Sequence, residues 1–248
     1  MNTPPAQSNP GSLAGRLVIV TGGSSGIGAA IASEFVELGC VVASIDILAP
    51  TGLQPVHHYP CDLLNLDALE RVLDQIGKEW GSASVLVNNA GDDTRHSLDQ
   101  VAPADWDRIV GTNLRHMFFA AQHVARQMKA SGTGGAIVNL GSIAWMIPET
   151  GMPVYLISKA AVHGLTRSLA RELGSAGIRV NTVAPGWVMT ERQQRLWLTP
   201  EAEAQLDEVQ MLPGRIHPSD VAHLVAFLAS DNARMITAQQ LIIDGGRV

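Results

Sequence analysis

The stretch Thr21-Gly22-Gly23-Ser24-Ser25-Gly26-Ile27-Gly28 decides the fold of this chain. An apolar run, residues 17–20, comes directly before it, and a helix-like run, residues 29–38, comes directly after it. A strand, a glycine-rich turn and a helix in this order form the context of a dinucleotide-binding site. Because glycine has no Cβ atom, the turn can be tight and its backbone can approach a pyrophosphate at the helix N-terminus. Alone the turn is a weak signal, since an ordinary βα connection without a ligand has the same pattern.

Strand-like and helix-like segments alternate along the rest of the chain. Most of the predicted strands are nearly continuous apolar runs, which is typical of parallel strands covered on both faces. They comprise residues 17–20, 40–46, 56–62, 85–88, 136–140, 179–183 and 240–243. The predicted helices comprise residues 29–38, 66–78, 104–130, 154–173, 200–210 and 219–228. This alternation predicts an α/β protein, a single-domain Rossmann fold with a doubly wound parallel sheet.

The composition argues against several classes of protein. The chain has 248 residues and a formal net charge of −6 without a cluster of basic residues, which disfavours nucleic acid as a partner. No apolar run approaches the roughly 20 residues of a membrane span, and the histidines lack metal-ligand spacing. Residues 1–12 are polar and lack the pattern of a secretory signal, so we expect a flexible tail before a domain formed by residues 13–248. The two cysteines, Cys40 and Cys61, suit a reducing cytoplasm, where we expect the protein to reside.

Two aspartates end predicted strands on the side of the sheet where ligands bind. Asp46 comes 18 residues after Gly28 and is suited to accept hydrogen bonds from adenosine ribose hydroxyls. It would repel a 2′-phosphate about 4 Å away by about 4 kcal/mol, and no basic residue lies between Arg16 and Arg71 to offset this. We therefore expect NAD rather than NADP. Asp62 could accept a bond from the adenine amino group or cap the following helix, and the sequence does not decide between these roles.

A further set of residues indicates a catalytic site. Asn88-Asn89-Ala90-Gly91 ends the fourth strand and allows close approach of the backbone to a ligand. Ser142 follows the fifth strand, Asn113 lies in the long preceding helix, and Tyr155 and Lys159 lie four residues apart on one helix face. Free tyrosine titrates near pH 10, and a lysine ammonium about 4 Å away could favour the phenolate by about 4 kcal/mol, roughly three pKa units. Tyrosine with lysine can therefore remove an alcohol proton near neutral pH.

With these residues the chain resembles the short-chain dehydrogenase/reductase family from Gly15 to the C-terminus. The motifs that carry the resemblance are the glycine-rich turn, Asn88-Asn89-Ala90-Gly91, Asn113, Ser142, Tyr155-x-x-x-Lys159, Pro185-Gly186 and Thr190. The resemblance implies a seven-stranded Rossmann sheet, commonly in a homotetramer, and an enzyme that uses a nicotinamide cofactor.

The same resemblance implies a role for each residue of the site. Tyr155 would be the acid/base, Lys159 would bind the nicotinamide ribose, Ser142 would orient the substrate, Asn113 would hold a relay water and Thr190 would contact the carboxamide. The residues expected to bind NAD are Gly22, Ser24, Ser25, Gly26, Ile27, Gly28, Asp46, Asp62, Leu63, Asn89, Ala90, Gly91, Tyr155, Lys159, Pro185, Gly186, Val188 and Thr190.

Three variable segments, residues 92–97, 143–154 and 187–210, should determine the substrate. The first is unusually polar, and the three together hold three of the five tryptophans. Indole faces cover apolar C–H patches while carboxylates, amides and guanidinium groups bind hydroxyls, which suits a sugar. The alternative is that the aromatic residues only close a lid or a subunit interface. The candidate substrate contacts are Asp93, Arg95, Ser142, Trp145, Glu149, Trp187 and Gln193.

A closer resemblance favours the sugar interpretation. The segments 88–96, 113–117, 141–145 and 192–205 look like the bacterial NAD-dependent aldose 1-dehydrogenases of the D-xylose type. This implies oxidation of the anomeric hydroxyl of an aldose such as xylose, arabinose, galactose or fucose to a lactone.

Three alternatives stay open. They are a dehydrogenase of a downstream keto-deoxy sugar acid, a reductase of 3-oxoacyl thioesters or other carbonyl compounds, and a non-enzymatic NAD-sensing regulatory protein. Intact Ser142, Tyr155 and Lys159 argue against the last.

Overall fold

The computed structural model describes residues 13–50, 55–147 and 149–248, so the expected tail, residues 1–12, lies outside the described residues. Seven strands form one parallel sheet. They are β1 (Leu17–Thr21), β2 (Val41–Asp46), β3 (Val56–Pro60), β4 (Val85–Asn88), β5 (Gly135–Leu140), β6 (Ile178–Pro185) and β7 (Gln240–Ile243). Their order is β3-β2-β1-β4-β5-β6-β7, which confirms the doubly wound Rossmann sheet. The winding direction reverses between β1 and β4, so the ligand crevice is expected beyond the carboxyl ends of these strands.

Helices cover both faces of the sheet. In the described residues the α-helices are α1 (Gly26–Glu37), α2 (Leu66–Trp80), α3 (Pro103–Val110), α4 (His116–Ser131), α5 (Pro153–Leu173), α6 (Glu191–Leu196), α7 (Pro200–Val209) and α8 (Pro218–Ala229). None of these helices combines the length and the apolar character that a membrane crossing requires. The helix predicted over 104–130 is divided by a π-helical turn, Gly111–Arg115, between α3 and α4. The short helix α6 was not predicted, because it has too few residues for a periodic apolar pattern.

The core consists of two apolar layers, one on each face of the sheet. Side chains of a strand alternate between the faces. Thus Leu17 and Ile19 of β1 pack with α2, α4 and α5, whereas Val18 and Val20 pack with α1 and α8. All five residues of β1 are buried, as expected for a central strand.

A row of buried hydrogen bonds fixes α5 on the sheet. Asn88 Nδ2 donates to Asn139 Oδ1 at 2.8 Å, and Asn139 Nδ2 donates to Thr166 Oγ1 at 2.8 Å. The hydroxyls of Thr166 and Thr182 lie 2.7 Å apart. The row therefore joins β4, β5 and β6 to α5, and all four side chains are buried. Because an unsatisfied buried polar group is costly, these bonds specify the position of α5 along the sheet.

We predict that Thr166→Val destabilises the fold, because it removes the hydroxyl that Asn139 uses while nearly preserving the side-chain volume. A buried donor left without an acceptor costs about 1–3 kcal/mol. The melting temperature should fall by about 3–8 °C in a thermal unfolding experiment. The matched control is Thr133→Val at an exposed position, which should change Tm by at most about 1–2 °C. Equal melting temperatures for the two variants would contradict the role of the row.

Candidate active site

The glycine-rich turn closes tightly at the carboxyl end of β1. Gly22 has φ +68°, and a Cβ there would lie 2.9 Å from the Ala90 Cα. A Cβ on Gly28 would lie 1.9 Å from the Gly22 carbonyl oxygen. Only glycine fits at these two positions, and the turn leads directly into the N-terminus of α1. The geometry is that of a cradle for a phosphate group.

The Asn-Asn-Ala-Gly run holds this turn in place. Asn89 Nδ2 donates to the carbonyls of Thr21 and Gly22 at 3.1 and 3.0 Å. The Thr21 hydroxyl accepts bonds from the backbone N–H groups of Asn89 and Ala90 at 3.1 and 3.2 Å. The ends of β1 and β4 are therefore tied together on either side of the reversal in winding.

The two strand-end aspartates line the cleft. Asp46 accepts bonds from the Ser24 and Leu48 backbone N–H groups at 3.0 and 3.1 Å, which aligns its carboxylate beside the turn. Asp62 accepts a bond from the Leu64 N–H at 2.9 Å. The N-cap of α2 is Asn65, so the interpretation of Asp62 as the cap is wrong.

The residues predicted to bind the cofactor line one cleft. It has a volume of about 1180 Å³ and runs from the glycine-rich turn to the segment after β6. Every residue predicted to bind NAD lines it except Ser24, which lies behind the wall and positions Asp46 through its backbone. The cradle that a Cβ would fill and the acceptor at Asp46 fit an adenine dinucleotide.

The predicted catalytic residues meet at the centre of the cleft. Ser142, Tyr155 and Lys159 all line it. The Lys159 Nζ donates to the Leu140 carbonyl at 2.9 Å and lies 5.7 Å from the centroid of the Tyr155 ring. The Ser142 Oγ accepts a bond from the Ala144 N–H at 3.1 Å, which sets the direction of its own hydroxyl.

Burial dominates the acid–base properties of this pair. It raises the pKa of Tyr155 to about 12, and the hydrogen bond with Ser142 opposes this rise. It also lowers the pKa of Lys159 to about 8. The sequence predicted a lowered tyrosine pKa, which this state of the protein does not have. The reason is that desolvation disfavours both charged forms while the ammonium is engaged by Leu140.

Asn113 lies in the π-helical turn and is fully buried. Its Oδ1 accepts a bond from the Asp92 N–H at 3.0 Å, and its Nδ2 donates to the Asp92 and Ile109 carbonyls, each at 3.0 Å. The side chain thus anchors the loop after β4. Because its amide is engaged by the backbone, a relay water would need other partners, and this role stays a prediction. Helical turns of the π type recur at functional sites.

Polar side chains link α6 to the loop after β4. They cross the part of the cleft that the three variable segments line, which we call the substrate half. Asp93 forms an ion pair with Arg192 and accepts a bond from Gln193 Nε2 at 2.5 Å. The Gln193 Oε1 accepts a bond from the Trp187 indole N–H at 2.9 Å. Asp93, Gln193 and Trp187 therefore form one connected wall.

Five of the predicted substrate contacts besides Ser142 line this half of the cleft, namely Asp93, Arg95, Glu149, Trp187 and Gln193. Trp145 is not among the lining residues, because the chain turns there and exposes the neighbouring Ala144 and Ile147 to the cleft instead. Sequence reasoning missed Arg247, which pairs with Glu149 at 3.2 Å, and Met152, which contacts Arg95. Neither residue belongs to a motif, and both reach the cleft through tertiary structure.

His96 supports the N-terminus of α5, which carries Tyr155 and Lys159. Its backbone N–H donates to the Gly151 carbonyl at 2.7 Å. Its Nε2 accepts a bond from the Val154 backbone N–H at 3.3 Å. The Nδ1 lies 3.0 Å from the Thr94 carbonyl. Since Nε2 must accept, the proton belongs on Nδ1, which donates to Thr94. The side chain therefore accepts from the N–H group of the second residue of the catalytic helix, whose N-cap residue is Met152.

We predict that His96→Ala loosens this helix end, because the Val154 amide loses its acceptor. The Val154 N–H should exchange with deuterium about fivefold to tenfold faster, in line with about 1 kcal/mol for a lost side-chain bond at a helix N-terminus. The matched control is His123→Ala on α4, whose Nε2 lies 3.2 Å from Asp74. That variant should leave exchange at Val154 unchanged, and an equal effect of both substitutions would exclude this role of His96.

Comparisons with known proteins agree with this geometry. A family model described as enoyl-(acyl carrier protein) reductase matches residues 22–247. The chain is 46% identical to D-xylose 1-dehydrogenase of Caulobacter vibrioides over 246 residues, which cover 95% of this chain and 96% of that protein. It is 44% identical to a probable galactose dehydrogenase of Rhizobium meliloti, over 93% of this chain and 94% of the relative.

Two solved structures share the whole architecture. The aldohexose dehydrogenase of Thermoplasma acidophilum in ligand-free form is 34% identical, with a TM-score of 0.86 over 94% of each chain. A 4-hydroxyisoleucine dehydrogenase complexed with NADH is 30% identical, with a TM-score of 0.86 over 94% of this chain and 98% of that chain. Sequence, sheet topology and the Ser142, Tyr155 and Lys159 arrangement lead to one conclusion: the chain belongs to the short-chain dehydrogenase/reductase family.

Proposed function

We propose that the protein is an NAD-dependent dehydrogenase that oxidises the anomeric C1 hydroxyl of a free aldose to an aldonolactone. The pentoses and hexoses in question include xylose, arabinose, galactose and fucose. The observation that carries the proposal is the polar wall of Asp93, Gln193 and Trp187 in the same cleft as Tyr155. Carboxylate and amide groups bind hydroxyls, and an indole face covers the apolar side of a pyranose ring. Relatives that act on xylose and galactose support the same class of substrate.

The residues of the chain divide the chemistry between them. The Ser142 hydroxyl donates to the reacting oxygen and orients it. Tyr155, as phenolate, takes the proton of the C1 hydroxyl while the C1 hydride leaves with its electron pair. The Lys159 ammonium favours the phenolate through its charge. Bound NAD supplies the acceptor for the hydride.

Recognition of the sugar follows from hydrogen bonding. The wall is already connected internally, so its groups are held in fixed directions and do not need to be ordered by the substrate. An epimer that leaves one of these half-buried groups without a hydroxyl partner loses up to about 1–3 kcal/mol. Epimeric aldoses should therefore differ by about tenfold or more in kcat/KM.

One substrate panel tests the proposal. Formation of NADH is measured with NAD and D-xylose, L-arabinose, D-galactose, L-fucose or D-glucose, and consumption of NADH is measured with an acetoacetyl thioester. We expect turnover of at least one aldose and none of the thioester. Turnover of the thioester alone, or of an open-chain keto-deoxy sugar acid alone, would replace the aldose by one of those substrates.

We predict that Tyr155→Phe lowers aldose oxidation by about a hundredfold or more, because the proton acceptor is lost. The affinity for NAD, measured by calorimetry, should change less than about threefold. Tyr59→Phe is the matched control, since Tyr59 is the other tyrosine of the chain and is hydrogen-bonded to Glu79 outside the cleft. Normal turnover in the Tyr155 variant would remove that residue from the mechanism.

We predict that the rate of aldose oxidation rises with pH. Burial raises the pKa of Tyr155 to about 12, so phenolate is the minor form near neutrality and becomes more abundant as the pH rises. Initial rates of aldose oxidation should therefore increase with pH from about pH 6 to about pH 8, by at most about tenfold per pH unit, and rise less steeply above pH 8, where the Lys159 ammonium loses its proton. The residual rate of Tyr155→Phe should lack this increase, and a flat wild-type profile would contradict a tyrosine base.

We predict a preference for NAD over NADP that depends on Asp46. A 2′-phosphate near this carboxylate is repelled by about 4 kcal/mol at an effective dielectric constant near 20. Asp46→Ala should lower the ratio of kcat/KM for NAD to kcat/KM for NADP by about tenfold or more. Asp107→Ala on the exposed side of α3 should leave this ratio unchanged. Efficient use of NADP by the wild type would exclude this role for Asp46.

We also propose a homotetramer, as the family resemblance implies. Phe118 and Phe119 on α4 and Ile157 on α5 are exposed apolar side chains that a second copy would cover. Light scattering of the purified protein measures the number of subunits.

A further inference from the structure

The substrate half of the cleft carries an excess of positive charge, although the chain has a net charge of −6. On α6, the charges of Glu191 and Arg195 offset each other, which leaves Arg192 of the same helix. Besides that pair, four arginines and three carboxylates line this half of the cleft. These residues are Arg95, Arg108, Arg192 and Arg247, and Asp92, Asp93 and Glu149. Lys159 adds a further cation beside Tyr155.

Each of these carboxylates already has an arginine partner. Arg108 contacts Asp92 at 3.1 Å, and Arg247 contacts Glu149 at 3.2 Å. Arg192 pairs with Asp93 and also lies 3.9 Å from Asp92. Within the described ranges of the chain, the guanidinium of Arg95 has no carboxylate at ion-pair distance. The positive excess therefore belongs to Arg95.

Arg95 is nevertheless held in the cleft. Its guanidinium carbon lies 5.1 Å from the centroid of the Trp197 ring. Its Nη1 lies 2.9 Å from the Met152 sulfur. A thioether is a weak acceptor, so a guanidinium with five N–H donors gains from a better partner at this place. Arg95 and Tyr155 line the same cleft, and the charge of Arg95 acts to lower the pKa of the Tyr155 phenol.

We infer that Arg95 binds a carboxylate of the substrate and that the enzyme oxidises uronic acids, aldoses whose terminal carbon is a carboxylate. This inference rests on the proposed oxidation of aldoses at C1. A uronate keeps the C1 hemiacetal, so it loses the C1 hydride to NAD and the hydroxyl proton to Tyr155 and becomes an aldarate lactone. An aldonate has a carboxylate at C1 itself and has no hydride to give there, so it binds without reacting.

The experiment compares sugars that differ only at C6. Initial rates are measured with the full-length protein and NAD for D-galactose against D-galacturonate, and for D-glucose against D-glucuronate. For at least one pair, the wild type should oxidise the uronate at least as efficiently as the neutral sugar. Added NaCl should raise KM for that uronate and leave KM for the neutral sugar nearly constant, because an ion pair is screened by salt.

Variants at Arg95 test whether this residue causes the preference for the uronate. Arg95→Met should lower kcat/KM for the uronate about 10- to 100-fold more than for the neutral sugar, through KM, because a charge-assisted bond is lost. Arg95→Lys should restore part of the preference. Arg126→Met, an equal change of charge at an exposed position of α4, should affect neither sugar. Turnover of neutral aldoses by Arg95→Met shows that this variant is folded.

The outcomes separate this inference from the proposed function. If neutral aldoses are oxidised while uronates neither react nor compete, the inference is wrong and the proposed function stands. An equal loss on both sugars in Arg95→Met also overturns it. If no sugar of either kind is oxidised, the proposed function fails and this inference fails with it.

Discussion

The position of one helix along the sheet is the constraint on which the site depends. Tyr155, Lys159 and Thr166 lie on the same side of α5, four and seven residues apart. Thr166 is bonded to Asn139 and Thr182 inside the protein, and His96 accepts a bond from Val154 in the first turn of the helix. The reactive phenol and ammonium are thus placed between two fixed points that take no part in the chemistry.

Burial determines the protonation of the catalytic pair. Desolvation favours the neutral forms of both Tyr155 and Lys159, which raises one pKa and lowers the other. The substrate half of the cleft behaves differently, because its carboxylates are paired with arginines at the surface. The catalytic pair is therefore sensitive to each charge brought into the cleft, while the surrounding wall keeps the positive excess of Arg95.

The parts of the fold that local sequence determines were predictable. The glycine-rich turn is dictated by steric limits at Gly22 and Gly28, and most strands are marked by nearly continuous apolar runs. The four-residue spacing of Tyr155 and Lys159 defines one helix face whatever the surroundings.

The remaining features depend on contacts between distant segments. The π-helical turn at Asn113 is stabilised by the backbone of Asp92, which is 21 residues away. Arg247 enters the cleft through its pair with Glu149, 98 residues earlier, and no local pattern marks it. Trp145 illustrates the reverse case, since its segment was correctly assigned to the site but the direction of a single side chain was not.

The buried row also has a consequence for the order of folding. Its bonds span sequence separations of 51, 27 and 16 residues, so they join segments that are synthesised far apart. Non-local contacts of this kind form only after the loop-closure entropy of the intervening chain has been overcome. Secondary structure in α5 can form early, but its register on β5 and β6 requires the central sheet to be assembled. Maturation of a competent active site is therefore coupled to completion of the fold.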